Sequence, residues 1–210
     1  MKTLFKGFIC FLALCLAAPV LAGSIKEYTA DMVDVKSGKV VGKYAVTEKK
    51  MRMESTDEDD GDSLVIIRMD QGKVYVMQED KTYIDIPIKG DKVPTPEELA
   101  GMMGGGDLFK PKREKLGTET VSGYKAEKFR VTHTIEMMGQ KHTSVHHEWL
   151  AKEFDIPVRI ENEGNIAELR NIKVGTPAAS LFEIPAGYKK NTEMEEMMKQ
   201  MQQMQQLQKQ

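Results

Sequence analysis

The chain has 210 residues, a formal net charge of −2 and both signs of charge interspersed along its length. That balance offers no basic stripe, which argues against a nucleic-acid partner. Its two cysteines, Cys10 and Cys15, fall near the N-terminus, so the remainder has no thiol for a disulfide, a nucleophile or a thiolate metal site.

Lys2 and Lys6, the apolar run Phe8 to Ala18 and the small-residue site Val20-Leu21-Ala22 predict a secretory signal peptide over residues 1–22. The apolar run is short for a bilayer, so no stable membrane span is expected after cleavage. Leu21-Ala22-Gly23-Ser24 follows the pattern of a lipoprotein signal, but Ser24 stands where lipidation needs a cysteine, and a periplasmic protein without a lipid anchor is expected. Cleavage leaves 188 of the 210 residues at a formal charge of −4. A chain of that size buries about 70% of its unfolded surface without cross-links.

Taken in order, Tyr28 to Val35, Val40 to Val46 and Met51 to Ser55 read as strands, with a turn at Lys36-Ser37-Gly38-Lys39. The acidic run Asp57-Glu58-Asp59-Asp60-Gly61-Asp62 misses the spacing of a calcium loop and reads as a solvated connection. Ser63 to Ile88 then writes three adjacent strands. Read as a three-residue loop ending in Gly72, the first turn pairs Met69 with Lys73; the second, Glu79-Asp80-Lys81, pairs Gln78 with Thr82. In that register Val65, Ile67, Met69, Tyr75, Met77 and Tyr83 share one face. The other face carries Leu64, Ile66, Val74, Val76, Ile84 and Ile86. A meander apolar on both sides is expected to be covered twice, or to line a cavity once.

Lys89 to Pro111, with Pro94, Pro96 and Gly104-Gly105-Gly106, has the character of a lid or connector, with a helical turn at Pro96 to Leu99 and Met102 and Met103 near its end. Strands resume at Lys115 to Val121, Tyr124 to Met137 and Thr143 to Leu150; an odd-residue loop at Gly139 would put Phe129, Val131, Ile135, Val145 and Trp149 on one face. Pro157 to Asn162 and Asn165 to Val174 make a hairpin around Glu163-Gly164, and Ala178 to Phe182 a short helix. Thr192 to Gln210 is helical by composition, with Met194, Met197, Met201 and Met204 at heptad spacing.

Chemistry is sparse in this pattern. All four histidines lie between His133 and His147: one register of their hairpin places His133 opposite His147, another opposite Val145, and the first would bring two imidazoles together for a metal. No carboxylate or cysteine completes such a site, so no metal and no cofactor is expected. The methionine tail admits two readings besides, a thioether site for copper or an apolar face that docks on an envelope protein. No nucleophile elbow, phosphate loop or paired carboxylate is present, and a non-enzyme is expected.

Five segments carry a family resemblance: Lys50-Met51-Arg52-Met53-Glu54; Asp70-Gln71-Gly72-Lys73-Val74-Tyr75; Thr82-Tyr83 with Ile86-Pro87; Trp149 with Ile156-Pro157-Val158; and Leu181-Phe182-Glu183-Ile184-Pro185-Ala186-Gly187-Tyr188. In these the chain resembles the exported bacterial proteins of the domain-of-unknown-function family numbered 4412, which is similar to the lipoprotein carriers LolA and LolB. The resemblance implies a mainly β (α+β) fold, a curved antiparallel half-barrel with a helix or loop over its concave face and a C-terminal helix. It implies three parts: the signal peptide, a half-barrel domain over residues 23–190, and a tail over 191–210. The partner it implies is an apolar small molecule or lipid, for which Met69, Tyr75, Met77, Tyr83, Phe129 and Trp149 are the expected cavity lining.

Overall fold

Short runs rich in β-branched and aromatic residues, cut by turns whose backbone enters the left-handed region, dictate hairpins rather than helices. Ser122-Gly123 (φ 49° and 87°) and Glu163-Gly164 (φ 50° and 82°) each place two successive residues at positive φ. They close two-residue hairpins in which Val121 pairs with Tyr124 and Asn162 with Asn165. The computed structural model describes residues 25–57, 61–88, 111–137, 140–154 and 156–193, with Glu196 and Gln200. Its strands are β1 Tyr28–Asp34, β2 Val40–Val46, β3 Lys50–Asp57, β4 Gly61–Arg68, β5 Lys73–Met77, β6 Thr82–Pro87, β7 Lys112–Val121, β8 Tyr124–Met137, β9 Gln140–Ala151, β10 Arg159–Asn162, β11 Asn165–Val174 and β12 Lys189–Lys190.

All of them join one sheet in the order β12-β6-β5-β4-β3-β2-β1-β11-β10-β9-β8-β7. Two meanders are zipped together where β1 meets β11, with Met32 opposite Leu169. The sheet is curved and open, with β12 and β7 at its edges, and every pairing is antiparallel except the short parallel contact of β12 with β6. Bulges interrupt β1 against both neighbours, and at one of them Gly42 sits where a Cβ would lie 3.2 Å from the Glu54 carbonyl oxygen and 3.2 Å from Met32 Cβ.

The register of the β4–β5 hairpin departs from expectation. A short 3-10 turn over Met69–Gln71 followed by Gly72 (φ 62°) makes a four-residue connection, so Arg68 pairs with Lys73 rather than Met69 with Lys73. One extra residue exchanges the faces of everything downstream. Val65 and Ile67 now share a face with Val74, Val76, Ile84 and Ile86, while Leu64 and Ile66 join Tyr75, Met77 and Tyr83. The alternation could not choose, because both faces of the meander are apolar. The next turn follows its expected register: Gln78 N–H donates to Thr82 O at 2.8 Å, with Lys81 taking the positive φ of 62° that a glycine would hold more cheaply.

No α-helix lies over the sheet among the described residues. Of the helix or loop expected over the half-barrel, the described residues show no helix; an extended strap, residues 176–191, lies on one face of the sheet, its helical content the 3-10 turn Ala179–Phe182. Pro177 and Pro185 bracket that turn and leave no room for a longer helix. The strap lays Leu181, Phe182, Ile184 and Tyr188 onto Ala45, Ile66 and Met77. Arg68 ties it down: its guanidinium donates to Phe182 O (3.1 Å) and Glu183 Oε1 (2.8 Å) and forks onto Asp70 (2.8 and 2.9 Å). Arg52 donates to Leu181 O at 3.0 Å, and Lys189 and Asn191 N–H close on Lys81 O and Tyr83 O. The expected lid or connector Lys89 to Pro111, with its helical turn at Pro96 to Leu99 and with Met102 and Met103, lies outside the described residues apart from Pro111. So does the expected C-terminal helix from Thr192 to Gln210, apart from Thr192, Glu193, Glu196 and Gln200.

Two outcomes test this architecture. Gly42→Val is expected to cost about 1–3 kcal/mol through overpacking at the bulge, read as a lower urea midpoint at constant slope. Arg68→Met leaves one strap carbonyl and two carboxylates, those of Glu183 and Asp70, unserved, and a loss of about 3 kcal/mol is expected, with protease cleavage or amide exchange rising first within residues 176–191.

Candidate ligand-binding face

Following the pairings strand by strand divides the sheet into two chemically different faces. On the first, Ile84 and Ile86 of β6 adjoin Val76 and Val74, then Val65 and Ile67, then Met53 and Met51. The same row continues through Tyr44 and Val46 to Ala30 and Tyr28, and through Met32 to Leu169. Each of these side chains is no more than 4% exposed. Phe154 and Ile156, from the turn after β9, pack into the same cluster, with the Phe154 ring edge-on to Tyr28 (5.3 Å) and Tyr124 (4.8 Å). This face is an unbroken apolar surface from β6 to β11.

The second face is closed or charged. Over β2–β6 the strap covers it, with Tyr75 and Tyr83 packed edge-on at 5.9 Å. Over β8–β11 it carries Trp149, only 2% exposed, beneath Lys128 Nζ (4.6 Å from the ring centroid) and the Arg159 guanidinium (5.3 Å), its Nε1 donating to Glu119 at 3.0 Å. Arg159 in turn forks onto Glu168 (2.9 and 2.6 Å). Burial alone would raise the Glu168 carboxyl, but the bonds from Arg159 and Arg170 outweigh it and hold it below the ordinary value. Between the strap and β11 lies a cleft of about 530 Å³ lined by Asp31, Lys43, Arg52, Glu54, Asn171 and Leu181 among others. Its wall mixes these charged side chains with the apolar Ala30, Tyr44, Ala45, Ile172 and Leu181.

The six expected lining residues are therefore divided. Met69 packs against the apolar cluster, and Phe129, half-buried, sits on the same face through its pairing with Glu148, which opposes Ile160. Tyr75, Met77 and Tyr83 face the strap, and Trp149 lies under its cations on that second face too. The β8–β9 hairpin explains the last point: Met137 pairs with Gln140, an even-residue connection, so Trp149 shares a side with Lys128 and not with Phe129 or Val131. Val145, set apart from Val131 for the same reason, is 44% exposed.

That register also corrects the histidines. His133 pairs with neither His147 nor Val145 but with Ser144, and its ring stacks on His146 with centroids 5.2 Å apart and planes 13° from parallel. His147 points to the other side, 3.8 Å from Glu161, and the side chains of Ile135 and His142 lie outside the described residues. Among the described residues no three His, Asp or Glu side chains gather as a metal site, and the methionines of the tail lie outside them. Residues that sequence reasoning passed over include Arg68, an arginine closing an otherwise apolar strand with Asp70 two residues on, and Arg113 and Glu148. Arg113 Nε donates to Glu148 Oε1 at 2.9 Å, and Glu148 is 1% exposed. Nothing in local sequence announces that pair, because its members stand 35 residues apart.

No family model matches the chain, and no curated protein matches it. Among solved structures it is similar to LprF from Mycobacterium bovis, at 12% identity over 78% of this chain and 90% of that one, with a TM-score of 0.31. It is similar to the MucA/MucB complex of Pseudomonas aeruginosa at 11% identity over 78% of this chain and 57% of that one, TM-score 0.40. The lipoprotein LppX from Mycobacterium tuberculosis is a third, at 13% identity over 70% and 84%, TM-score 0.32. At such scores these likenesses carry no argument about function, which rests on the geometry of the faces.

Burial pushes the His146 imidazole down to about 4, with the nearby His133 and Arg113 adding to the effect. The unfolded chain takes up this proton near 6.5 and the folded chain near 4, so the unfolded state binds more protons between those values. Stability from this group is complete above about pH 6.5 and is lost as pH falls toward 4. Thermal midpoints measured from pH 7.5 to 4.5 are expected to fall with acid, and His146→Phe is expected to flatten that slope. Asp70 and Asp85 act at lower pH. Hydrogen bonds from Arg68 lower Asp70; Asp85 is raised by burial but lowered further by Lys190 and Lys73, so their contribution disappears only below about pH 4.

Proposed function

We propose that the protein is an exported, non-enzymatic carrier that holds an apolar ligand, a lipid or acyl chain, against the first face of its sheet. The observation that supports this reading is the continuity of that face: apolar side chains cross from β6 to β11 without a charged residue between them, while the second face is already taken by the strap and by ion pairs. Each methylene transferred from water to such a surface gains about 0.8 kcal/mol, so a sixteen-carbon chain gains on the order of 12 kcal/mol before ordering costs. No charged clamp is needed to hold it. The resemblance to family 4412 and to the LolA and LolB carriers, and the secretory signal expected over residues 1–22, support a site of action in the periplasm.

On this assignment Met69 and Phe129 belong to the ligand surface, and Tyr75, Met77, Tyr83 and Trp149 hold the sheet's other side. Native mass spectrometry of protein isolated gently from its own host is expected to show a co-purifying lipid. Displacement of the apolar fluorophore N-phenyl-1-naphthylamine is expected to separate the faces: Val76→Phe weakens its binding at least fivefold, whereas Met77→Ala, beneath the strap, lowers stability by about 2–3 kcal/mol with no more than a twofold change in affinity. Absence of any lipid together with no uptake of the fluorophore would overturn the carrier reading.

A further inference from the structure

The strap stops short of β11, and there the second face opens into the cleft of about 530 Å³. Small-molecule sites occupy about 300–1,000 Å³. Strand register sets the floor of the cleft: Lys173, Thr29, Ala45 and Arg52 stand abreast on β11, β1, β2 and β3. The two middle side chains are small, so the floor is low between a cation at either end, across three strand spacings or about 14 Å. Leu181 of the strap and Ile172 of β11 supply apolar wall.

The next row holds Asp31, Lys43 and Glu54. Glu54 accepts from Arg52 Nε at 2.6 Å, and Arg52 also donates to Leu181 O. Asp31 accepts from Asn171 Nδ2 at 2.8 Å, at the point where the β1–β11 register shifts and Asn171 takes a φ of 53°. The cations Lys43, Arg52 and Lys173 thus line the cleft against the carboxylates Asp31 and Glu54. Lys43 stands between the two carboxylates in register, which leaves Lys173 as the surplus charge. Its neighbour on β1 is Thr29, and among the described residues it makes no hydrogen bond or ion pair.

We infer that this cleft binds a small organic monoanion, an apolar body ending in one carboxylate, with the carboxylate on Lys173 and the body over Thr29 and Ala45 against Leu181. The site lies on the opposite side of the sheet from the apolar row of the carrier reading and does not depend on it. A neutral ligand of the same shape gains the apolar contact without the charge-assisted hydrogen bond. A cationic one meets Lys173 and Arg52 as like charges, and a bare anion has no body to cover the floor.

Amide-shift titrations of the full chain at pH 7 with octanoate, octanol, octyltrimethylammonium and acetate test this. Octanoate is expected to bind about fivefold more tightly than each of the other three, and to move the amides of Thr29, Ala45, Lys173 and Leu181. Lys173→Gln, at an exposed position, is expected to weaken octanoate about fivefold and octanol no more than about twofold, while Lys125→Gln, exposed on β8, changes neither. An affinity for any of the other three that equals the octanoate affinity overturns the assignment. So does a preference that survives Lys173→Gln or falls as far in Lys125→Gln, and so do shifts confined to other strands. The carrier reading stands or falls separately, on co-purified lipid and the effect of Val76→Phe.

Discussion

Strand register governs everything that this sheet can bind. Side chains alternate across a strand, so a single residue added to a turn moves every downstream side chain to the opposite side. At Met69–Gly72 the chain spends four residues in reversing, and the result aligns Val65 and Ile67 with Val74 and Val76. That row becomes the spine of the buried face. The aromatic and thioether side chains of β5 and β6, Tyr75, Met77 and Tyr83, are sent to the reverse side, where they form the bed for the strap.

The first face is buried as well, each side chain of its apolar row no more than 4% exposed. An antiparallel sheet with two apolar faces has to bury both, and here the chain's own C-terminal segment closes one of them over β2–β6. Arg68 is the fastening. Its guanidinium reaches two backbone and side-chain groups of the strap while Asp70 holds it in place, which converts an otherwise costly buried cation into a hydrogen-bonded hub. Further along, where the strap does not reach, Trp149 belongs to the large apolar cluster and is also covered by Lys128 and Arg159. A large aromatic ring that looks from sequence like cavity lining thus lies beneath two cations, with its indole N–H on Glu119.

Polarity is graded along the remaining face. It runs from the aliphatic rows of β3–β6 to the stacked histidines and the Arg113–Glu148 pair at β7–β9. The cleft beneath the strap is walled by Asp31, Lys43, Arg52 and Glu54 together with Ala45, Ile172 and Leu181.

Local sequence determined the strands and most of their ends. Tyr124–Met137 and Val40–Val46 follow from runs of β-formers, and Ser122-Gly123 and Glu163-Gly164 from turn residues that tolerate positive φ. It also determined that the central meander would be apolar on both sides. What it left open was the pairing between those strands: at Gly72 apolar residues on both sides satisfy either register, and at the tip of the β8–β9 hairpin the length of the loop was not fixed, an even connection pairing Met137 with Gln140. Tertiary structure made that choice. It also brought Arg113 to Glu148 and Arg68 to Phe182 across 35 and 114 residues. Contacts at such separations are set by how the whole sheet is ordered, and no short stretch of residues carries the information.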